Sequence, residues 1–584
     1  MILQALKEYY DRKAADPESG MAPEGWEPKE ILFLIVLDAN GNLVQIEDIR
    51  EGDGKKKKGK IFLVPQAVKK TSGVSANLLW DVAGYVFGIV NVDALDEKNK
   101  EKALERASRQ KTAFRERIAK ELPQCAQTKA ILSFLDTITR ARLEQESLWS
   151  EIYETNPILT FRFEEEKQLF CCSQIVVSAM DQRRNGTENS QQEAPLPACL
   201  VTGAPDEVAE LHTSIKGVYN AQSSGANIVS FNLAPFCSFN KRQGRNAPVG
   251  KRAMFAYTTA LNSLLSKNSA QHILIGDAST VFWSEKKTHF ETDFSFFFKE
   301  PEKDNPDAGT DCIRNLFNSV NTGSYWEDSG RTKFYVLGLA PNAARIAVRF
   351  WQVGTVAEFA GRIRQHFEDL NIVKSEREPE FYSLWRLLVN IATQDKSENI
   401  PPNVAGDFMR SILNGTSYPV SLLQAAVRRI KSDTKERVKP VRAALIKAWL
   451  NRYYREHSNT QEKEITMSLD TEQPSIGYQL GRLFATLEKV QEEANPGLNS
   501  TIRERYYSAA CSSPVTVFST LMRLKNHHLA KMENKGRVVN FERLIGEIVG
   551  RLDTFPSHLD LLEQGKFAIG YYHQRQDFFK GKEQ

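Results

Sequence analysis

One change of period governs this chain. Up to about Val356 the apolar residues come in short, β-branched and aromatic runs divided by turns, with helical patches between them. Beyond that point strand signals fade. "VAEFAGRIRQHFEDL", "EFYSLWRLLVNIA", "SLLQAAVRRIKSD", "VKPVRAALIKAWLNRYYRE", "IGYQLGRLFATLEKVQEEA" and "VTVFSTLMRLKNHHLAKME" all repeat apolar residues at helical spacing. A sheet needs period two and a helix 3.6, so the pattern predicts an α+β protein: a mixed, antiparallel-sheet N-terminal region followed by an all-helical C-terminal bundle. At 584 residues the chain exceeds what one hydrophobic core organises. Three regions are expected: 1–355, mixed α+β; 356–466, helical and basic; 467–584, a helical bundle. No repeat of fixed period is present.

Within the first region, "ILQALKEYYDRKAA" puts Ile2, Leu3, Leu6, Tyr9 and Tyr10 on one helical face. "EILFLIVLDANGNLVQIEDI" reads as a hairpin turning at Asn40-Gly41, and "KIFLVPQAV" as a third strand, so 30–68 is expected to be an antiparallel meander with a lysine-tipped loop. Residues 98–154 turn helical and charged. "ILTFRFEEE", "NIVSFNL", "HILIGDASTVFW", "TKFYVLGLA" and "AARIAVRFW" read as strands, and 181–203 as an exposed polar loop.

The charge balance is even, 77 basic against 73 acidic side chains, which excludes a uniformly basic nucleic-acid binder and directs attention to local clusters. The opening residues do not read as a signal peptide, and no window is apolar enough for a membrane span. Seven scattered cysteines without a C-x-x-C pair read as free thiols of a reducing cytosol, so a cytoplasmic protein is expected.

Four clusters stand out. Lys55, Lys56, Lys57 and Lys58, with Lys60, form a hairpin tip; such lysines either discourage edge pairing or steer phosphate. In "VPQAVKKTSGVSANLLWDVAGYVFGI", Lys69, Lys70, Thr71 and Ser72 precede Asn77. Thr71 or Ser72 would cap a helix carrying Val74, Leu78 and Leu79, or the same loop would hold a phosphate with Asn77 reading a base edge. The third cluster, Lys241, Arg242, Gln243, Arg245, Asn246, Lys251 and Arg252, crowds a Gly/Pro-broken loop before an apolar helix. Cations interleaved with amides suit phosphate grip and base-edge contact; otherwise the loop is simply exposed. The fourth is Arg428–Arg455, with ten cations, among them Arg428, Arg429, Arg437, Lys439 and Arg442, against Asp433 and Glu436. It is expected to be a strongly positive surface.

Catalytic signals are sparse. No P-loop, G-x-S-x-G, H-E-x-x-H or dinucleotide fingerprint occurs, and no cofactor is called for. Asp277, in "LIGDAST", suits a turn cap better than a metal ligand. The rival to a non-catalytic binding protein is a metal-dependent nuclease or nucleotide-processing enzyme, with Asp277 and Glu285 as first suspects.

Across the whole chain, "ILQALKEYYDR", "VPQAVKKTSGVSANLLWDVAGYVFGI", "NAPVGKRAMFAYTTALN", "GLAPNAARIAVRFW", "GYQLGRLFATLEKVQ" and "GKFAIGYYHQRQDFF" resemble the large subunit of the subtype I-C CRISPR interference complex, Cascade. The resemblance implies a non-catalytic subunit that recognises the protospacer-adjacent motif, helps to open the duplex and stabilises the R-loop. Its implied partners are the CRISPR guide RNA, double-stranded target DNA and its displaced strand, the backbone and guide-RNA-handle subunits, a small subunit and the helicase-nuclease. It also implies that Met467 can open a separately translated helical small subunit. The clusters then acquire places: Lys69–Asn77 and Lys241–Arg252 flank the unopened duplex, and Arg428–Arg455 tracks a separated strand.

Overall fold

The computed structural model describes residues 1–52, 57–68, 70, 73–186, 196–299, 308–322, 331–433, 437–457 and 463–580. The first strand pair to explain is built around "FLIVL". All five residues of β2 (Phe33–Leu37) are buried, which requires neighbours on both edges. It pairs antiparallel with β3 (Leu43–Asp48) and parallel with β6 (Ile158–Phe163), giving the order β3-β2-β6-β5 with the short β5 (Trp80–Val82) at the far edge. At the hairpin turn Asp38 Oδ1 accepts the N–H groups of Asn40 and Asn42. Gly41 has φ +88°, and a Cβ there would collide with the Ala130 carbonyl.

The meander expected over 30–68 is therefore only half right. β4 (Lys60–Pro65) leaves β3 and pairs antiparallel with β1 (Trp26–Ile31) as a separate two-stranded sheet. Only Ile46 of β3 is buried, so a strand added beside it would bury little, whereas β4 on β1 brings Val64 into one core with Trp26 and Ile31. "NIVSFNL" is a second departure. It forms no strand; Asn227 instead donates to the His212 carbonyl, and Leu233 is exposed.

The chain divides into two compact units, Met1–Ile215 with Asn227–Ser263, and Lys216–Ala226 with Leu264–Gln584. The first holds the sheets just described, the amphipathic helix Ile2–Ala14 and the charged helix Glu97–Glu121. The second opens with an antiparallel sheet, β7 (His272–Ile275), β8 (Ala278–Ser284), β9 (Lys333–Asn342) and β10 (Arg345–Thr355), ordered β10-β9-β8-β7. The period change seen in the sequence falls where β10 ends. Thr355 accepts from the Glu358 N–H while the Glu358 carboxylate accepts from the Thr355 N–H, a capping box that starts the helix Val356–Leu370.

The compact units fall elsewhere than the boundaries expected at 355 and 466. Phe282 and Phe334 of the sheet share one core with Phe359, Phe408, Leu445, Phe484 and Phe567 of the helices. Beyond residue 466, Gly481 of Ile476–Ala494 lies against the Phe567 carbonyl of Leu561–Lys580, and Gly570 against the Tyr478 carbonyl. The latter helix also packs on Pro440–Glu456, where Gly565 meets Ile446 and Leu450. The protein is α+β, with its sheets early and its helices late.

Candidate nucleic-acid interface

Among the described residues of the Val64–Ile89 stretch, no helix begins before Ala83. Residues 73–79 are irregular, Leu79 has φ +63°, and the next helix, Ala83–Phe87, starts after β5. Asp81, 2 % exposed, is the reason. Its carboxylate accepts the Lys70 ammonium at 2.6 and 2.7 Å and the backbone N–H groups of Asn77 and Val82, both at 2.9 Å. Lys70 Nζ also lies 3.6 Å from the Tyr85 ring centroid. Asn77 is buried, and its Oδ1 accepts from the Val68 N–H, so it closes the loop and is not free to read a base edge. Lys69, Thr71 and Ser72 lie outside the described residues.

At the lysine-rich tip, Lys57 approaches Asp48 at 3.5 Å and Lys60 approaches Glu51 at 3.1 Å, while Lys58 bridges Glu51 through its backbone. Lys55 and Lys56 lie outside the described residues.

The loop 238–250 is held by its own polar groups. Asn246 Nδ2 donates to the carbonyls of Lys241 and Gln243, and its Oδ1 accepts from the Ser238 N–H. Asn246 is thus a staple. Gly244 packs so closely on the Ala209 carbonyl that a Cβ would not fit. Three of the cations meet carboxylates: Arg245 with Glu210 at 2.9 Å, Lys251 with Glu207 at 2.5 Å, and Arg252 with Glu24 at 3.9 Å. Lys241 and Arg242 are exposed and, among the described residues, meet no carboxylate. Beside them Phe239 is 94 % exposed. Phe239, Asn240 and Gln243 all have positive φ, a costly backbone that the stapled base holds in place. The sequence reading missed Phe239; "SFNKR" carried the signal, an aromatic next to cations in a turn.

A cleft of about 1020 Å³ brings Gln66, at the start of the first loop, together with Lys241, Arg245 and Lys251. Its lining is mainly apolar, including Met180, Leu211 and Phe255, and the carboxylates Glu24, Asp181, Glu207 and Glu210 line it with the three cations. Of the four clusters, only that at 241–252 supplies lining residues to this concavity.

Arg428–Arg455 is not the positive surface expected. Arg442 is fully buried, donating to the Asn390 carbonyl at 2.7 Å, Asp433 at 2.5 Å and Asp395 at 2.9 Å. Arg429 pairs with Asp395 and Asp433, and Lys439 with Asp395 at 2.8 Å. Arg452 is buried against Asp369 at 2.7 Å, and Arg455 reaches the same carboxylate. Lys447 donates to the Asp369 carbonyl; burial pulls its ammonium below the ordinary value, and the Asp369 charge opposes that. Arg437 is 4 % exposed, and desolvation lowers its guanidinium from the usual value. Arg428 is the exposed member without a partner among the described residues. The run was misread because Asp369 and Asp395, which neutralise it, lie outside it in sequence.

Asp277 sits in the β7–β8 turn after Gly276 and pairs with Arg349 at 2.7 Å. Glu285 follows the other end of β8, eight residues and so roughly 25 Å along an extended strand. The two carboxylates cannot share a metal ion. Among the described residues no three His, Cys, Asp or Glu side chains are grouped to hold one. All seven cysteines are free thiols. Met467 is half exposed, and its carbonyl accepts from the Val373 N–H. No helix among the described residues is long and apolar enough to cross a membrane.

No curated protein matches the chain. A family model described as CRISPR-associated protein (Cas_Csd1) matches residues 6–579. That match runs through both compact units, from the first helix to the last, and agrees with the resemblance to the type I-C Cascade large subunit. The chain belongs to the CRISPR-associated Cas_Csd1 family.

Proposed function

We propose that this protein is the non-catalytic, DNA-binding large subunit of a type I-C surveillance complex, acting in the cytoplasm. In this reading it recognises the protospacer-adjacent motif, assists duplex opening and R-loop stabilisation, and recruits the helicase-nuclease. It does so beside guide RNA, the backbone and handle subunits and a small subunit that can start at Met467. One observation carries the proposal: the stapled tip where Phe239, 94 % exposed, stands beside Lys241 and Arg242, neither meeting a carboxylate among the described residues. Cations left unneutralised attract phosphate, and an exposed ring offers a face to an unstacked base. Lys70 and its anchor Asp81 brace the first loop, and Gln66 ahead of it borders the same cleft as Lys241. Protein contacts of this kind tip the near balance between the DNA duplex and the RNA–DNA hybrid.

The test uses assembled complexes carrying Lys241→Ala/Arg242→Ala or Lys69→Ala/Lys70→Ala, with target-duplex affinity measured across a salt series. Each phosphate contact removed is expected to lower the salt slope by about 0.9. Unchanged affinity and slope in both variants would remove these loops from the interface. Incubating the isolated chain with Mg²⁺ and labelled DNA or RNA tests the non-catalytic assignment; cleavage abolished by Asp277→Ala would overturn it.

A further inference from the structure

Two cysteines stand side by side in the chain, Cys171 and Cys172, in the turn Phe170–Cys172 that packs against both β4 and β6. Neighbouring side chains on so tight a helical turn ordinarily diverge by about 120°. Here the two Sγ atoms lie 3.8 Å apart. The turn's backbone is fixed by two hydrogen bonds, from the Cys172 N–H to the Leu169 carbonyl at 2.9 Å and from the Ser173 N–H to the Phe170 carbonyl at 3.0 Å. Cys171 is fully buried, with Thr160 Oγ1 of β6 3.9 Å from its sulfur. Cys172 is half-buried, and its thiol donates to the Leu63 carbonyl of β4 at 3.1 Å. The pair thus offers one partly accessible sulfur backed by a buried one.

The spacing suits two bonds to one soft atom. Two sulfurs bonded at about 2.3 Å to a tetrahedral centre lie about 3.8 Å from each other. A direct S–S bond fits less well: disulfides span Cα separations of about 4.4–6.8 Å, whereas neighbouring Cα atoms are only about 3.8 Å apart. A zinc ion also fits less well, because a closed zinc site takes four ligands. Among the described residues no three His, Cys, Asp or Glu side chains are grouped to hold a metal. An atom that needs only two thiols, and brings its remaining substituent with it, matches the pair. The protons are suitably placed. The hydrogen bond from Cys171 holds the Cys172 thiol below the ordinary thiol value, while that bond and burial push Cys171 well above it. Cys172 is therefore the sulfur that bonds first.

We propose that Cys171 and Cys172 form a two-thiol site for a trivalent arsenical, both sulfurs bonding to one arsenic atom. In an organoarsonous acid the arsenic carries one carbon and two hydroxyls; the Cys172 sulfur displaces one hydroxyl and the Cys171 sulfur the other. Two S–H and two As–O bonds break, two S–As bonds form, and two water molecules leave. Arsenic stays trivalent throughout, so the step needs neither oxidant nor reductant. Occupancy withdraws the proton that Cys172 gives to the Leu63 carbonyl and so loosens the turn's hold on β4. The site involves no nucleic acid and is independent of the function proposed above.

The experiment incubates the reduced, purified full chain with phenylarsine oxide, which hydrates to such an acid, in excess glutathione as a competing monothiol. Intact-mass spectrometry and a count of free thiols read the product. One phenylarsenic per chain is expected, with two of the seven thiols lost. Cys172→Ser keeps a donor for the Leu63 carbonyl, and Cys171→Ala tests the buried partner; thermal melts establish that each folds. Losing one of the two bonds should lower the glutathione concentration that releases half the probe roughly 100- to 10,000-fold. Cys237→Ser, which removes an exposed thiol elsewhere, should leave the adduct unchanged. An adduct retained by Cys172→Ser, or probe taken up only after the wild-type chain is denatured, overturns the site. Zinc bound by the wild-type chain and lost in both variants would assign the pair to a metal ion instead.

Discussion

Arg442 separates a cation that holds the fold from one that holds a ligand, and Arg442→Met is the sharpest perturbation. The side chain is fully buried and makes four hydrogen bonds, to Asn390 O, Arg437 O, Asp433 and Asp395. Breaking a buried ion pair from one side costs about 3–5 kcal/mol. Here the carboxylates retain Arg429 and Lys439, and their side chains are 33 % and 18 % exposed for Asp395 and Asp433, which places the loss at the lower end. The Asn390 carbonyl left without its donor adds about 1 kcal/mol, and the methionine fills part of the space. The sum is about 3–4 kcal/mol. For a unit of this size that corresponds to a fall in Tm of about 3–6 °C, measured by differential scanning calorimetry of the purified chain. Target binding at a temperature where the variant is folded should keep the wild-type salt slope. A Tm within 1 °C of wild type together with a slope reduced by about 0.9 would mean that Arg442 reaches a phosphate, and the burial argument would be wrong.

Asp81→Asn keeps the shape of the loop anchor but removes the charge that holds Lys70; target affinity should fall several-fold, with little change in salt slope, because no phosphate contact is deleted. Gly481→Ala pushes a methyl into the Phe567 carbonyl of the adjoining helix and should destabilise the second unit by about 1–3 kcal/mol, read as a lowered calorimetric Tm. Glu493 is held below the ordinary carboxylate value chiefly by its hydrogen bond from Arg537. Its contribution is therefore present above about pH 4.5 and lost as pH falls through the lower folded-state value. Both side chains are partly exposed, so Arg537→Ala should cost about 0.5–1 kcal/mol at pH 7, and its Tm should converge with wild type as falling pH protonates Glu493.

Much of the architecture is local in origin. The apolar period predicts the opening helix, the β2–β3 hairpin, strand over the segment that forms β7 and β8, and the switch to helix at Val356, where the Thr355 capping box sits. These elements depend on residues within a few positions of each other, so a linear reading reaches them. The even charge balance likewise identifies local cationic clusters, and the Lys241–Arg252 loop proves to be one with two cations free of carboxylates among the described residues.

What the sequence alone could not decide is which charges meet. Asp395 and Asp369 precede the basic run by tens of residues, yet they convert it from a surface into an interior network. β4 leaves its sequence neighbour for β1 because that pairing buries Val64. Asn77 and Asn246 change from base readers into loop staples once their backbone partners are known. Helix and hairpin signals act over one or two turns of chain; desolvation and Coulomb attraction act through space, so only the tertiary structure brings together the residues that cancel or concentrate charge.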